Sequence, residues 1–274
     1  MKKAPLAIAL SLASLLAVSS CSAVTPKEAS SAPAASASSS AAPSESKNPT
    51  PEDNKVKAGD VINGLPTKSE LADNGKGKYI QTTILDTDPA MKYTQAVDAP
   101  EVTQLFTPDE VAEAQKFAVR FIAEEAIDST INDNYADAAV ISAWWERNKE
   151  KIDPVYHTTV LQSLQNSEDM TLAIVQRANF RKYNLANGPE QVHVLSRKIT
   201  PTAITAGVVE GKNYLGFSVN ADFEMATDIP SGTSGMTKPE STTATLYLTM
   251  RIDESTGNWV ISGFKNTFTT TPVA

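Results

Sequence analysis

Apolar and polar positions change rhythm several times along this chain. Leu6, Ile8, Leu10, Leu12, Leu15 and Leu16 form an almost unbroken apolar run behind Lys2 and Lys3. From Ser22 to about Pro51 large apolar side chains nearly vanish among Ser, Ala, Pro and Thr. A helical period begins after Thr107, where Val111, Ala114, Ala118, Phe121, Ile122 and Ala126 recur at helical spacing. Thr107-Pro108-Asp109-Glu110 marks the start: Thr107 can cap, Pro108 suits the first helical position, and Glu110 completes a capping box. A second helix is predicted from near Asn134 to before Pro154, with Ala138, Ile141 and Trp145 on one stripe and Val140 and Trp144 beside it. Helical neighbours point about 100° apart, so one tryptophan of the pair is expected buried and the other half exposed. Asp153-Pro154 opens a third helix with Val160, Leu161 and Leu164 as its apolar positions.

Alternation of period two takes over from about residue 171. Thr171–Gln176 is a candidate strand, and Gln191–Ile199 and Thr202–Glu210 read as two strands joined by a tight turn at Pro201. Along Tyr214–Met225, residues Leu215, Phe217, Val219, Ala221, Phe223 and Met225 share one face. Tyr214, Ser218, Asn220, Asp222 and Glu224 share the other. Ala244, Leu246, Leu248, Met250 and Ile252 alternate in the same way, and Asp253–Asn258 forms a hairpin loop to Trp259, Val260, Ile261 and Phe264. Helices followed by long antiparallel strands predict an α+β domain over residues 105–274, with Phe121, Trp145, Phe217, Leu248 and Trp259 in its core. Residues 58–104 read as a partly ordered arm, in which Tyr79–Leu85 is a candidate strand closed by Asp86-Thr87-Asp88-Pro89.

The N-terminal apolar run spans about 15 residues, short of the roughly 20 that cross a bilayer. It is therefore expected to be a signal peptide over residues 1–20. Cys21, the single cysteine, follows Val18-Ser19-Ser20. That run resembles a bacterial lipobox, and the resemblance implies that the Cys21 sulfur carries diacylglycerol and becomes the new N-terminus. Two acyl chains hold a protein stably on a membrane. The expected location is thus the extracytoplasmic face of the cell membrane, with the membrane as one partner. Residues 21–57 cannot bury enough apolar surface to offset their ordering entropy, which predicts a disordered linker. About 36 such residues reach roughly 35 Å r.m.s. and at most about 120 Å.

Net charge is −8; removing Lys2 and Lys3 with the signal leaves 22 basic against 32 acidic residues, a net of −10. That balance disfavours nucleic acid, whose phosphates need clustered Lys and Arg.

The helices, the long antiparallel strands and the hairpin of Leu246–Ile252 with Trp259–Phe264 resemble the nuclear-transport-factor-like, or SnoaL-like, cone over about residues 105–270. The resemblance implies N-terminal helices on a curved antiparallel sheet with a pocket at its wide end. The chain is also similar to cell-surface lipoproteins of high-GC Gram-positive bacteria. Within the cone reading, Asp222, Tyr214 and Tyr247 are positions that can face a pocket; the competing reading leaves that face solvated.

Catalytic motifs are sparse. Two histidines are present, His157 and His193, and either can titrate near neutrality as a general base. The catalytic candidates are therefore Asp222, His193 and Tyr214. No metal-ligand spacing and no cofactor fingerprint is found in the sequence, so neither a metal nor a cofactor is expected. The stretch Thr227–Ser241, with Pro230, Gly232, Gly235 and Pro239, reads as a long loop and a candidate binding loop. These features favour a non-enzymatic binding or assembly module with an envelope protein partner. The alternative is a small-molecule-binding protein or enzyme using a pocket of the cone.

Overall fold

The computed structural model describes residues 56–73, 78–132, 138–166, 184–185, 192–228 and 238–272. The signal and nearly all of the linker lie outside these residues, as does the candidate strand at 171–176. The described residues show an α+β architecture. Short N-terminal hairpins, β1 (Val61–Ile62) with β2 (Leu65–Pro66) and β3 (Ala72–Asp73) with β4 (Lys78–Tyr79), precede the helices. The helices are α1 (Val102–Leu105), α2 (Pro108–Phe121), α3 (Ala138–Asn148) and α4 (His157–Asn166). The main sheet follows, with β5 (Asn184–Leu185), β6 (Val194–Val209), β7 (Lys212–Asp228), β8 (Lys238–Ile252) and β9 (Trp259–Pro272). Strands β6 to β9 form an antiparallel meander in chain order, and β5 pairs with the far end of β7 on the edge that β6 also uses.

The alternation read along Tyr214–Met225 sets the register. Leu215 stands opposite Met250, Phe217 opposite Leu248, Val219 opposite Leu246 and Ala221 opposite Ala244, and all eight are buried. Helix α2 lays Val111, Ala114, Ala118 and Phe121 into the same core. Its start is as expected: the Thr107 hydroxyl accepts from the Glu110 amide, and the Glu110 carboxylate accepts from the Thr107 amide at 2.7 Å. Past Phe121 the helix widens into a π-helical turn, Ile122–Ile127, and stops at Asp128.

Several expectations are corrected. Pro201 does not turn the chain. Residues 194–209 form one strand, and the register slips between Pro201 and Ala203. A proline has no N–H for a ladder, and a bulge accommodates that loss. The turn falls at Glu210-Gly211, where both residues have positive φ (51° and 78°), the geometry that closes a two-residue hairpin. The strand expected at Tyr79–Leu85 is mostly single bridges, Ile80 to Val192 and Thr67 to Thr82. Trp144 and Trp145 are both buried, because α4 covers the side of α3 that would otherwise leave Trp145 half exposed. Strands β7 and β8 pair as far as Thr227 with Lys238, so both ends of the expected Thr227–Ser241 loop are strand residues, and 229–237 lie outside the described residues. Pro230, Gly232 and Gly235 lie outside the described residues. Pro239 is a strand residue opposite Ala226.

Candidate functional site

Three places carry exposed or unusual chemistry. The first is the outer face of the sheet. Register sets Lys198, Asp222, Thr243 and Thr269 in one row and Thr200, Asn220, Thr245 and Thr267 in the next. All eight are exposed. The Thr243 hydroxyl donates to Asp222 Oδ1 at 2.9 Å and the Thr245 hydroxyl to Asn220 Oδ1 at 3.0 Å. Asp222 is therefore a surface residue of a hydroxyl-rich face, and the inward position considered for it is corrected: in a strand whose core face carries Phe217 and Phe223, even-numbered residues point the other way. Tyr247 crosses this face towards Gly216. A Cβ at residue 216 would stand 2.2 Å from the Tyr247 hydroxyl and 2.5 Å from Thr205 Oγ1, so only glycine fits beneath the ring. Tyr214 is half-buried; burial, with Tyr156 beside it, pushes its phenol up. It too lies on this outer face, so the pocket position considered for it is corrected.

The second place is buried. His193 sits one residue before β6, not inside a strand, and is 2% exposed. Asp128 is fully buried where the π-helical turn ends. His193 Nδ1 and Asp128 Oδ1 face each other at 3.7 Å, and neither has a hydrogen-bond partner among the described residues. The other Asp128 oxygen accepts from the Thr82 amide at 2.6 Å and the Thr82 hydroxyl at 2.8 Å. Burial raises the Asp128 carboxyl, opposed by His193, Thr82 and Arg197. Tyr79, 1% exposed, stacks on His193 with ring planes 9° apart, and burial drives its phenol far up. A His beside an Asp is the usual core of a general base. Here both are sealed beneath the segment from Tyr79 to Thr82, so no solvent-borne substrate touches them in this structure.

Next to this cluster Glu125 anchors α3. Arg147 donates to its carboxylate at 3.1–3.3 Å, Asn148 Nδ2 donates at 2.8 Å, and the Trp144 indole donates to the Glu125 carbonyl. Asp153 plays the same part at the other end: Arg251 grips both its oxygens at 2.6 and 2.7 Å, and the Ser262 hydroxyl donates at 2.7 Å. Both networks tie helices to their neighbours.

The third place is a cleft of about 440 Å³ between α3 and α4, lined by Ile141, Ser142, Trp145, Glu146, Leu161 and Gln165 among others. His157 packs against Trp145 of this cleft: its Nε2 lies 2.9 Å from the Ile152 carbonyl, and its ring meets Trp145 edge-on. That is a structural placement.

Among the described residues no group of three His, Cys, Asp or Glu side chains can hold a metal, and no helix is long and apolar enough to cross a membrane. Sequence reasoning singled out His193 but missed Asp128, Tyr79, Glu125 and Asp153. Asp128-Ser129-Thr130 after an apolar helix is an ordinary turn signal, and nothing local reveals that it is buried against a segment nearly fifty residues upstream. The class the fold defines is an α+β domain with helices packed on an antiparallel meander. Against known families, curated proteins and solved structures, the chain finds no match.

Proposed function

We propose that this is a lipid-anchored cell-envelope protein, held on the extracytoplasmic face through acylated Cys21, whose α+β domain works as a binding or assembly module for another envelope component. The anchor rests on the position of the single cysteine behind a short apolar run. The observation that carries the binding role is the outer sheet face. Its two adjacent rows hold six Thr or Asn residues and carry only Lys198 and Asp222 as charges. Its Asp222 is hydrogen-bonded to a threonine. Such a surface offers many donors and acceptors and little net charge, which suits recognition of a neutral, hydroxyl- or amide-bearing partner. We also read the sheet as bent round α2 in the manner of a cone, a reading supported by the bulges in β6 and between Thr249 and Met250, since bulges bend the strands that carry them.

Co-purification from membranes tests the role. Wild type is expected to bring down a partner that Asn220→Arg with Thr245→Arg loses. Equal recovery by both would refute use of this face. The anchor is tested separately by detergent phase partition: wild type enters the detergent phase, Cys21→Ala stays aqueous, and an aqueous wild type ends the lipoprotein reading. A second reading, a small-molecule carrier, draws on the α3–α4 cleft with Trp145 in its wall. It requires a small apolar molecule to change Trp145 fluorescence saturably.

A further inference from the structure

Besides its hydroxyl rows, the outer sheet face carries an aromatic ring that lies down on it. Gly216 of β7 pairs with Thr205 of β6 and with Thr249 of β8, and Thr249 pairs with Gly263 of β9. This row has low relief, since none of its side chains is larger than threonine. Tyr247 stands on the next row, between Ser218 and Lys265, and leans into the low one. A Cβ at residue 216 would stand 2.2 Å from the Tyr247 hydroxyl and 2.9 Å from its Cζ, so the far end of the ring rests on the glycine backbone. Gly216 is buried, whereas Tyr247 is 37% exposed, which leaves the outer side of the ring to solvent.

The two rows beyond the ring hold their polar groups in fixed directions. Asn220 Oδ1 is occupied by the Thr245 hydroxyl at 3.0 Å, so among the described residues the Asn220 Nδ2 donors are unspent. The Thr243 and Thr245 hydroxyls, which donate to Asp222 and Asn220, keep lone pairs that can accept. From the row of Gly216 to that of Asp222 the platform runs about 20 Å along the strands and about 14 Å across the four of them. Its charges are Lys198, Asp222 and Lys265, a nearly neutral set on a chain of net charge −8.

We propose that this platform binds a neutral polysaccharide chain of the envelope, with one sugar ring stacked on Tyr247 and the next units hydrogen-bonded along the Thr and Asn rows; the inference rests on the binding role given to this face above. A pyranose has an apolar C–H side and a rim of hydroxyls. The C–H side suits the electron-rich face of an exposed aromatic ring. The rim suits the Asn220 donors and the threonine acceptors, and groups already held in place lose little freedom on binding. A protein partner would want apolar anchors at a dry centre. Of the exposed large apolar residues, Val61, Leu85, Val155, Tyr156 and Val208 stand off these rows and Tyr247 alone is on them. A nucleic acid would bring one phosphate per nucleotide to a face with two lysines and an aspartate, too few cations to hold it.

Co-sedimentation of the purified full-length protein, in detergent, with detergent-extracted cell walls of the producing strain tests it. One portion of the walls is left whole, one is digested with protease, and one is digested and then oxidised with periodate, which cleaves the vicinal diols of sugars. Saturable binding is expected to survive protease and to be lost after periodate. Tyr247→Ala should weaken binding to the digested walls about tenfold, whereas Tyr247→Phe, which keeps the ring, should bind close to wild type. Thermal melts establish that both variants are folded. Binding confined to undigested walls would overturn the polysaccharide and leave the face to a protein partner. Binding that survives periodate, or no binding to digested walls, would also overturn it, and co-purification from membranes would then still decide the broader role. Wild-type binding by Tyr247→Ala, or equal losses in Tyr247→Ala and Tyr247→Phe, would overturn stacking on the ring.

Discussion

Arg251→Ala removes the guanidinium that grips both oxygens of Asp153. Asp153 is 1% exposed and Arg251 5%, so the bridge is shielded from solvent. The carboxylate would keep the Ser262 hydroxyl at 2.7 Å and the Val155 amide at 3.2 Å, too few donors for a buried charge. Breaking such a pair on one side costs about 3–5 kcal/mol. The loss reaches the fold because Asp153 also donates its amide to the Ile261 carbonyl at 2.9 Å, next to the bridge of Ile152 with Ile261, and so fixes the start of α4 on the outer edge of β9. Urea unfolding read by tryptophan fluorescence measures it; at about 2–4 °C per kcal/mol, the melting point should drop by roughly 6–20 °C. Asp153→Asn with Arg251→Met, which removes both charges, should recover most of the loss, since apolar replacement of a whole buried pair is often near neutral. The pH profile adds a check. Burial alone would raise the Asp153 carboxyl, but the bonds from Arg251, Ser262 and Val155 hold it below the usual carboxylate range. A lowered pKa contributes stability that is present above the unfolded value, about 3.9, and is lost as pH falls through the folded one. Arg251→Ala should flatten that acid limb. A single-mutant cost under about 1 kcal/mol, the level of an exposed ion pair, would refute the reasoning.

Phe217→Ala should cost about 3–5 kcal/mol by opening a cavity opposite Leu248, whereas Asn220→Ala on the outer face should stay within about 0.5 kcal/mol; chemical denaturation of both variants checks the register, and reversed magnitudes would mean the faces are exchanged. Gly216→Ala should destabilise by about 1–3 kcal/mol through overlap with the Tyr247 hydroxyl and Thr205, and Tyr247→Ala should relieve most of that loss when combined with it; thermal melts of the two single variants and the pair show whether the clash is with the ring.

What was legible in the sequence was whatever a short window of residues decides. Thr107 to Glu110 sets its own capping box because donors and acceptors lie three residues apart. Leu215 to Met225 shows its core face because strand side chains alternate whatever the partner. The one break at Pro201 was misread for a related reason: proline signals a local interruption, and whether that becomes a turn or a bulge depends on the strand beside it, here β7 pairing across the slip. Trp145 is buried by α4, not by its own helix. The pairing of His193 with Asp128 under Tyr79 joins three segments separated by 49 and 65 positions, and the Asp153–Arg251 bridge spans 98. Nothing in the local residue pattern records such distances. They are chosen when the core closes, because a buried charge must find its partner wherever packing places it, and that choice is made by the tertiary structure alone.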